Sequence, residues 1–501
     1  MATEPGVRAA DVRGAPMFAP EEPPVLMFGR VVAYKYVVAA VFVSALFLDL
    51  LDVTIVNVAL RTIGEEFQTE AIEWIVLGYT LSLAVCIPAS GWLGDRFGTK
   101  RVFLTALALF VGGSVMCGLA QTIGQLVAFR VLQGVGGGML TPIGVAMLFR
   151  AFPPIERARA STIVMIPTLV APALGPVLGG LLTQTAGWRW IFFVNLPFGI
   201  AALVFGLRFL REHTEPTAGR FDVAGFVLSG FGLASIAYAL SEGPRIGWTD
   251  PWVVGLGISG AIAFALLVYV ETHRPDPMLA LRLFRYRSFR ATNIVMVFGM
   301  ASFIGLTFVL PLYLQGLRGL DPLESGLTTF PQAIGILISS QIAGRIYGRI
   351  GPRRLIIGGM LGSAVSMASL LLVGLDTDLW WIRLAIFARG LAMGFTFVAV
   401  QAASYAEIPP ADNGRASAIF STQRQMSVSI GIALMATVLT SFTTLTAAPD
   451  DPQQALTGYH WTFALATGLA LIAALLAAIS IRDEDAAATM RPQPVAAAQS
   501  G

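Results

Sequence analysis

Charge is scarce in this chain of 501 residues: Asp, Glu, Lys and Arg together make up 13% of it, while 55% is hydrophobic. Soluble domains carry about 25% charged residues, so a soluble globule of ordinary composition is excluded. Cysteine is nearly absent. Cys86 and Cys117 both fall inside apolar runs, where a thiol acts as a small hydrophobe, and neither a disulfide nor a metal pair is expected. His213, His273 and His460 fall in loops or at the ends of apolar runs, which leaves an intramembrane hydrolase without a Ser/His constellation. A phosphate loop of the GxxxxGK type is missing too, which argues against ATP-driven transport.

What the chain has in abundance is long apolar runs. About fourteen are long enough to span a bilayer, at residues 36–60, 74–94, 102–120, 125–148, 162–183, 190–210, 223–241, 252–271, 291–315, 325–346, 355–375, 381–405, 415–441 and 461–481. The net charge of +3 follows this layout. Arg96, Lys100 and Arg101, then Arg150, Arg157 and Arg159, then Arg208, Arg211 and Arg220 cluster in successive even-numbered loops. So do Arg274, Arg282, Arg285, Arg287 and Arg290, and finally Arg345, Arg349, Arg353 and Arg354. The odd loops carry mainly Glu65, Glu66, Glu70, Asp250, Asp321, Asp376, Asp378, Asp450 and Asp451. By the positive-inside rule the even loops and both termini are cytoplasmic, and nucleic acid is not an expected partner. Residues 1–34, rich in proline, and residues 482–501 read as disordered cytoplasmic tails, with no cleaved signal peptide at the start.

Two carboxylates, Asp49 and Asp52, stand inside the first run. Each costs about 2.5–3.5 kcal/mol at membrane depth, so each is expected to face a bundle interior or a wet cavity. Spaced i, i+3, they share one helix face, where they move protons or hold a charged ligand. The fourth run holds Arg130, followed by Gln133-Gly134-Val135-Gly136-Gly137-Gly138. A buried arginine stays protonated and needs a partner. Arg130 therefore either bridges helices through carbonyls or serves protonation together with the two aspartates. Pro167, Pro172, Gly175-Pro176 and Gly179-Gly180 make the fifth run either a kinked packing helix or a hinge. Arg389 echoes Arg130 in the second half of the chain. Asn57, Gln133, Tyr313, Gln315, Gln332, Gln341, Arg389, Gln401 and Arg424 are candidates to line a substrate cavity, with polar bonding between helices as the other reading.

The chain also echoes itself. Gly91, Arg96, Gly98 and Arg101 match Gly344, Arg349, Gly351 and Arg354 in one gap-free register, with Gly348 in place of Asp95. Such a repeat is typical of transporters built from two six-helix halves with the substrate path between them. The expected fold is an all-α membrane protein. Six-helix bundles lie over 35–211 and 289–481, and a linker over 212–288 carries two extra spans as an inserted hairpin.

Taken in order, these motifs resemble the fourteen-spanner, drug:proton antiporter branch of the major facilitator superfamily. The resemblance covers about Tyr36 to Ile481 and rests on Leu51–Leu60, the Gly91–Arg101 loop, Arg130 with Gln133-Gly134, Gly175-Pro176 with Gly179-Gly180, and Trp188–Pro197. Arg61 stands where the family's first-helix signature ends in proline, and Asp49 is an additional intramembrane acid. The resemblance implies alternating access, with Asp52 or Asp49 taking the coupling proton beside Arg130. It also implies that Asp95 and Arg96 help latch the cytoplasmic gate. The energy source is then the proton gradient, with no cofactor.

The function this points to is a non-enzymatic exporter of amphipathic, often cationic compounds. Export of one specific metabolite, antibiotic, siderophore or lipid is the alternative. The Ala/Arg-rich, lysine-poor composition points to a GC-rich bacterium, and so to a multi-pass protein of the cytoplasmic (inner) membrane. Oligomeric state is left open by the sequence.

Overall fold

The computed structural model of the protein describes residues 25–27, 30–152, 157–214, 221–274, 280–409, 412–445 and 451–490. Expectations for most of the two tails, for Arg220 and for Asp450 lie outside these residues. Long apolar stretches with few prolines leave the backbone one way to satisfy its N–H and C=O groups in lipid, and among the described residues these stretches are helical. The first seven helices are α1 (Tyr34–Phe67), α2 (Glu73–Phe97), α3 (Thr99–Gly118), α4 (Ile123–Ala151), α5 (Arg157–Thr185), α6 (Trp190–Phe193) and α7 (Asn195–Phe209). Then come α8 (Val223–Ile246), α9 (Pro251–His273), α10 (Arg287–Leu312), α11 (Pro322–Thr329), α12 (Pro331–Ile350) and α13 (Pro352–Ser369). The chain closes with α14 (Leu379–Ser404), α15 (Asn413–Thr440), α16 (Pro452–Ser480) and α17 (Ala487–Met490). Among the described residues 11 helices, counting α6 with α7, are long and apolar enough to cross a membrane.

Two lobes result. In the first, α2 and α3 pack on α4, and α1 packs on α5; in the second, α12 and α13 pack on α14, and α10 packs on α15 and α16. Short connectors fix which helix ends are neighbours. The start of α1 and the end of α16 share one end of the molecule, here the near end; the α1–α2 connector marks the far end. One hydrophobic core joins both lobes through far-half residues such as Ile55, Leu60, Leu306 and Leu310. A separate core, with Phe42, Leu46, Phe103 and Leu140, fills the near half of the first lobe alone. Gln315 Nε2 donates to Val58 O at 2.8 Å, and Leu445 N donates to Glu70, so hydrogen bonds between the lobes are found in the far half. The lobes are thus closed together at the far end and separate toward the near end, leaving a cleft.

The inserted hairpin, α8 packed on α9, lies over the seam between α2 and α15. It is fixed to the first lobe by Trp74 Nε1 donating to Glu242 Oε1 at 3.1 Å and by Ser241 Oγ donating to Glu73 Oε1 at 2.8 Å. On the second lobe, Thr437 Oγ1 donates to Leu240 O at 2.5 Å.

Much of the acidity of the far loops is helix capping. Asp250, Asp321, Asp378 and Asp451 each accept a first-turn amide of α9, α11, α14 or α16, and a proline follows Asp250, Asp321 and Asp451. Such a side chain satisfies N–H groups that have no partner inside the helix. Several boundaries differ from the sequence reading. α1 runs on to Phe67, so Glu65 and Glu66 ride on its last turns, and Arg61 Nε donates to Glu65 Oε1 at 2.6 Å. The tenth run splits into α11 and α12 because Pro331 has no N–H to continue the ladder. The tails are not wholly unstructured: Val25–Met27 pairs antiparallel with Arg30–Val32, and Tyr347 Oη lies 2.8 Å from Thr489 Oγ1 of α17.

Candidate functional site

The first lobe centres on a buried polar cluster. Asp52 on α1 has no exposed surface, and Arg130 on α4 is 1% exposed. Arg130 Nη1 lies 2.5 Å from Asp52 Oδ2. Gln133 Nε2 and Asn195 Nδ2 donate to the other carboxylate oxygen at 2.9 and 3.3 Å. The guanidinium also donates to Gln133 Oε1 at 2.9 Å and Ile75 O at 3.1 Å, and it lies 4.2 Å from the Tyr79 ring centroid. Arg130 therefore bridges helices through a backbone carbonyl and also pairs with Asp52, one of the two aspartates. One turn earlier on α1, Asp49 accepts the Tyr79 hydroxyl and retains 7% exposure against none for Asp52, so it is the less enclosed acid of the pair.

Glycines create this packing. A Cβ at Gly137 would sit 2.7 Å from the Tyr79 hydroxyl and 2.9 Å from Asp49 Oδ1, and one at Gly136 would meet Ala106 O at 2.6 Å. Gly175 and Gly179 let α5 lie against Thr54 and Ile55 of α1, whereas Gly180 meets Leu323 of the opposite lobe. The small-residue face of α5 is thus a packing face, on its own lobe and across the seam.

In the second lobe Arg389 is fully buried; Nη1 donates to Gln332 Oε1 at 2.5 Å, Nη2 to Phe303 O, and the guanidinium lies 4.5 Å from the Phe303 ring centroid. It braces α14 to α12 and α10. Arg424, by contrast, is exposed near the middle of α15, and Gln341 and Gln401 are exposed in near halves of their helices.

The loop expected to act as a latch has a different anchor. Gly98 takes φ +99°, and the amides of Lys100 and Arg101 donate to Glu212 at 3.0 and 3.2 Å. The repeat is exact in kind: Gly351 takes φ +85°, and Arg353 N donates to Asp483 Oδ1 at 2.9 Å. Each acid follows the last helix of its lobe. Asp95, Arg96 and Arg101 are exposed, and Gly91 has nothing within 4 Å of an added Cβ.

The Major Facilitator Superfamily profile matches residues 42–432 and, in a second match, 292–497. The chain belongs to the major facilitator superfamily. Among curated relatives, the Multidrug resistance protein B homolog of Mycobacterium tuberculosis is 36% identical over 408 residues, covering 80% of this chain and 76% of that one. The Putative multidrug resistance protein MdtD of Serratia proteamaculans is 31% identical, with 81% and 85% covered. A bacterial homolog of the human lysosomal transporter Spinster, solved in an inward-facing and unoccupied conformation, superposes with a TM-score of 0.65 over 92% of this chain and 99% of its own, at 16% identity.

In this facilitator several candidate residues are not where cavity residues stand. Tyr313 Oη donates to Gly374 O at 3.1 Å, and its ring packs on Tyr459 and Phe463 in the closed far end. Gln315 ties the lobes together, and Asn57 turns back to Val53 O at 3.4 Å. Gln133 and Gln332 each serve an arginine. Tyr79 and Asn195 were missed by sequence reasoning, as was the role of Glu212 and Asp483. Asn195 lies in Trp188–Pro197; there, too, Trp188 is buried and donates to Glu66 Oε2 at 2.6 Å. A polar residue inside an apolar run was the available signal for both Tyr79 and Asn195.

Proposed function

We propose that this facilitator is a proton-coupled drug exporter, in which protons and amphipathic substrates exchange by alternating access. The carrying observation is the contrast between the two acids. Asp52 is sealed in an ion pair with Arg130, whereas Asp49, on the same helix face, keeps some exposure toward the cleft and has the Tyr79 phenol as its hydrogen-bond partner. Asp49 is then the acid that takes and releases the proton, and Asp52–Arg130 is the fixed pair that positions it. A proton and a substrate that both act on Asp49 bias one two-state equilibrium in opposite directions.

The relatives' names support drugs as the cargo. In this reading fourteen helices cross a bacterial inner membrane, both termini are cytoplasmic, and the cleft of this state opens to the cytoplasm. The Gly91–Arg101 loop closes that side, and the Gly-Pro segment of α5 accommodates the rocking of the lobes. The test is pH-gradient-driven dye transport in proteoliposomes containing a trapped pH indicator. Asp49→Asn is expected to keep dye binding measurable and abolish dye-driven proton movement. Wild-type exchange by both Asp49→Asn and Asp52→Asn refutes the assignment.

A further inference from the structure

Charge at bilayer depth is divided unequally between the lobes. The first carries Asp49, Asp52 and Arg130; the second carries Arg389 and Arg424, and no Asp or Glu occurs anywhere within α10, α12, α13, α14, α15 or α16. Arg389 is enclosed by Gln332 and Phe303 and does not reach the cleft. Arg424 is exposed and has no hydrogen-bond partner among the described residues.

An exposed arginine in the middle of a membrane helix faces either hydrocarbon or water, and hydrocarbon is the costly choice. Its surroundings decide for water. α2 packs on α15, with Thr80 Oγ1 and Ser429 Oγ 3.0 Å apart, and Arg424 lies a little over one turn toward the near end from Ser429. Beside Thr80 is Tyr79, the residue that holds Asp49. Asp49 and Arg424 interact through their charges across the gap between the lobes. Arg424 is the second lobe's charge in the cleft, as Asp49 is the first lobe's.

We propose that the cleft is a two-pole substrate site in which Asp49 takes the cationic end of an amphipath and Arg424 its anionic end, so that zwitterions bind in preference to simple lipophilic cations. This rests on the drug-export reading and specifies its substrate class. A lone guanidinium in the cleft repels a cation with no anionic group. It offers a carboxylate two parallel N–H donors in a setting where water competes weakly. A zwitterion satisfies both walls, whereas a cation leaves Arg424 without a counter-charge when the lobes close on it.

One ring system in two charge forms tests this. A rhodamine free acid, zwitterionic at neutral pH, and its cationic methyl ester are compared by fluorescence polarisation on the purified full chain. Wild type is expected to bind the free acid about tenfold more tightly, the worth of one charge-assisted contact. Arg424→Gln is expected to erase that preference by weakening the acid and strengthening the ester, while Arg424→Lys keeps most of it. Arg345→Gln, an exposed arginine at the near end of α12, is expected to leave the ratio unchanged and so excludes a general charge effect. An affinity ratio of one in wild type, a ratio that Arg424→Gln leaves intact, or binding of neither dye overturns the two-pole site. Gradient-driven efflux of both dyes with a ratio of one overturns it alone; a tenfold ratio without gradient-driven efflux overturns only the export reading.

Discussion

Replacing Asp52 with asparagine should cost this fold far more than the same change at Asp49, although the residues share a helix face. Asp52 accepts Arg130 on one oxygen and both Gln133 and Asn195 on the other. Asparagine has a single acceptor oxygen. Turned toward Arg130, it aims its amide at two donors; turned the other way, it aims that amide at a guanidinium. Gln133 does not relieve the conflict by flipping, because its own oxygen is held by Arg130. Breaking one side of a buried ion pair costs about 3–5 kcal/mol, and a hydrogen bond to a charged group is worth about 1.5–3 kcal/mol, so about 3 kcal/mol is expected for Asp52→Asn. Asp49→Asn keeps an oxygen for the Tyr79 hydroxyl and should cost about 1 kcal/mol or less. Replacing Asp52 and Arg130 together by leucine should cost less than the sum of the single changes by about 1–3 kcal/mol, since no orphan charge remains. Thermal unfolding in detergent, followed with a fluorogenic thiol reagent, reads this directly because Cys86 and Cys117 are both buried. Equal melting of the two asparagine variants, or fully additive leucine losses, refutes the reasoning.

The junction glycines should separate as sharply in the same unfolding assay. Gly98→Ala forces a side chain into φ +99° and against Glu212, a loss of about 1–3 kcal/mol, whereas Gly91→Ala, with nothing within 4 Å, is expected to be neutral or slightly stabilising. Glu212→Ala should raise hydrogen exchange in the first turn of α3 alone, and Asp483→Ala in the first turn of α13 alone, each with a stability loss of about 1 kcal/mol. Gly137→Ala should act as Tyr79→Phe does. Its methyl group, 2.7 Å from the hydroxyl, parts Tyr79 from Asp49, and both variants should show a shifted pH profile of transport with near-normal expression.

Two lobes, an inserted hairpin and a buried acid–arginine centre could be read from apolar runs, a repeated Gly–Arg pattern and the cost of charge in lipid, because each leaves a periodic or compositional trace. Partners were harder. That Arg130 meets Asp52 and not Asp49 depends on the rotation of α1 against α4, which i, i+3 spacing leaves free. Arg389 and Arg424 look alike in sequence, yet one is walled in by Gln332 and Phe303 and the other open, a difference made by three-dimensional packing. The acids of the far loops were read as a topology signal; Asp250, Asp321, Asp378 and Asp451 are also helix caps, a role visible in the Asp-Pro steps at three of them. For Tyr313 and Gln315 it is the polar-bonding reading that fits the contacts, and the sequence left the choice open because a polar side chain near a helix end looks the same whether it borders a cavity or a closed seam.

Glu212 has one further consequence. It follows α7 on the way to α8, so the fastening of the α2–α3 corner belongs to the stretch of chain that leads on to the hairpin. On the equivalent stretch of the second lobe, Asp483 leads, among the described residues, into the short helix α17. Otherwise matching corners therefore differ in what the chain does next: one leads on to the hairpin, the other to α17.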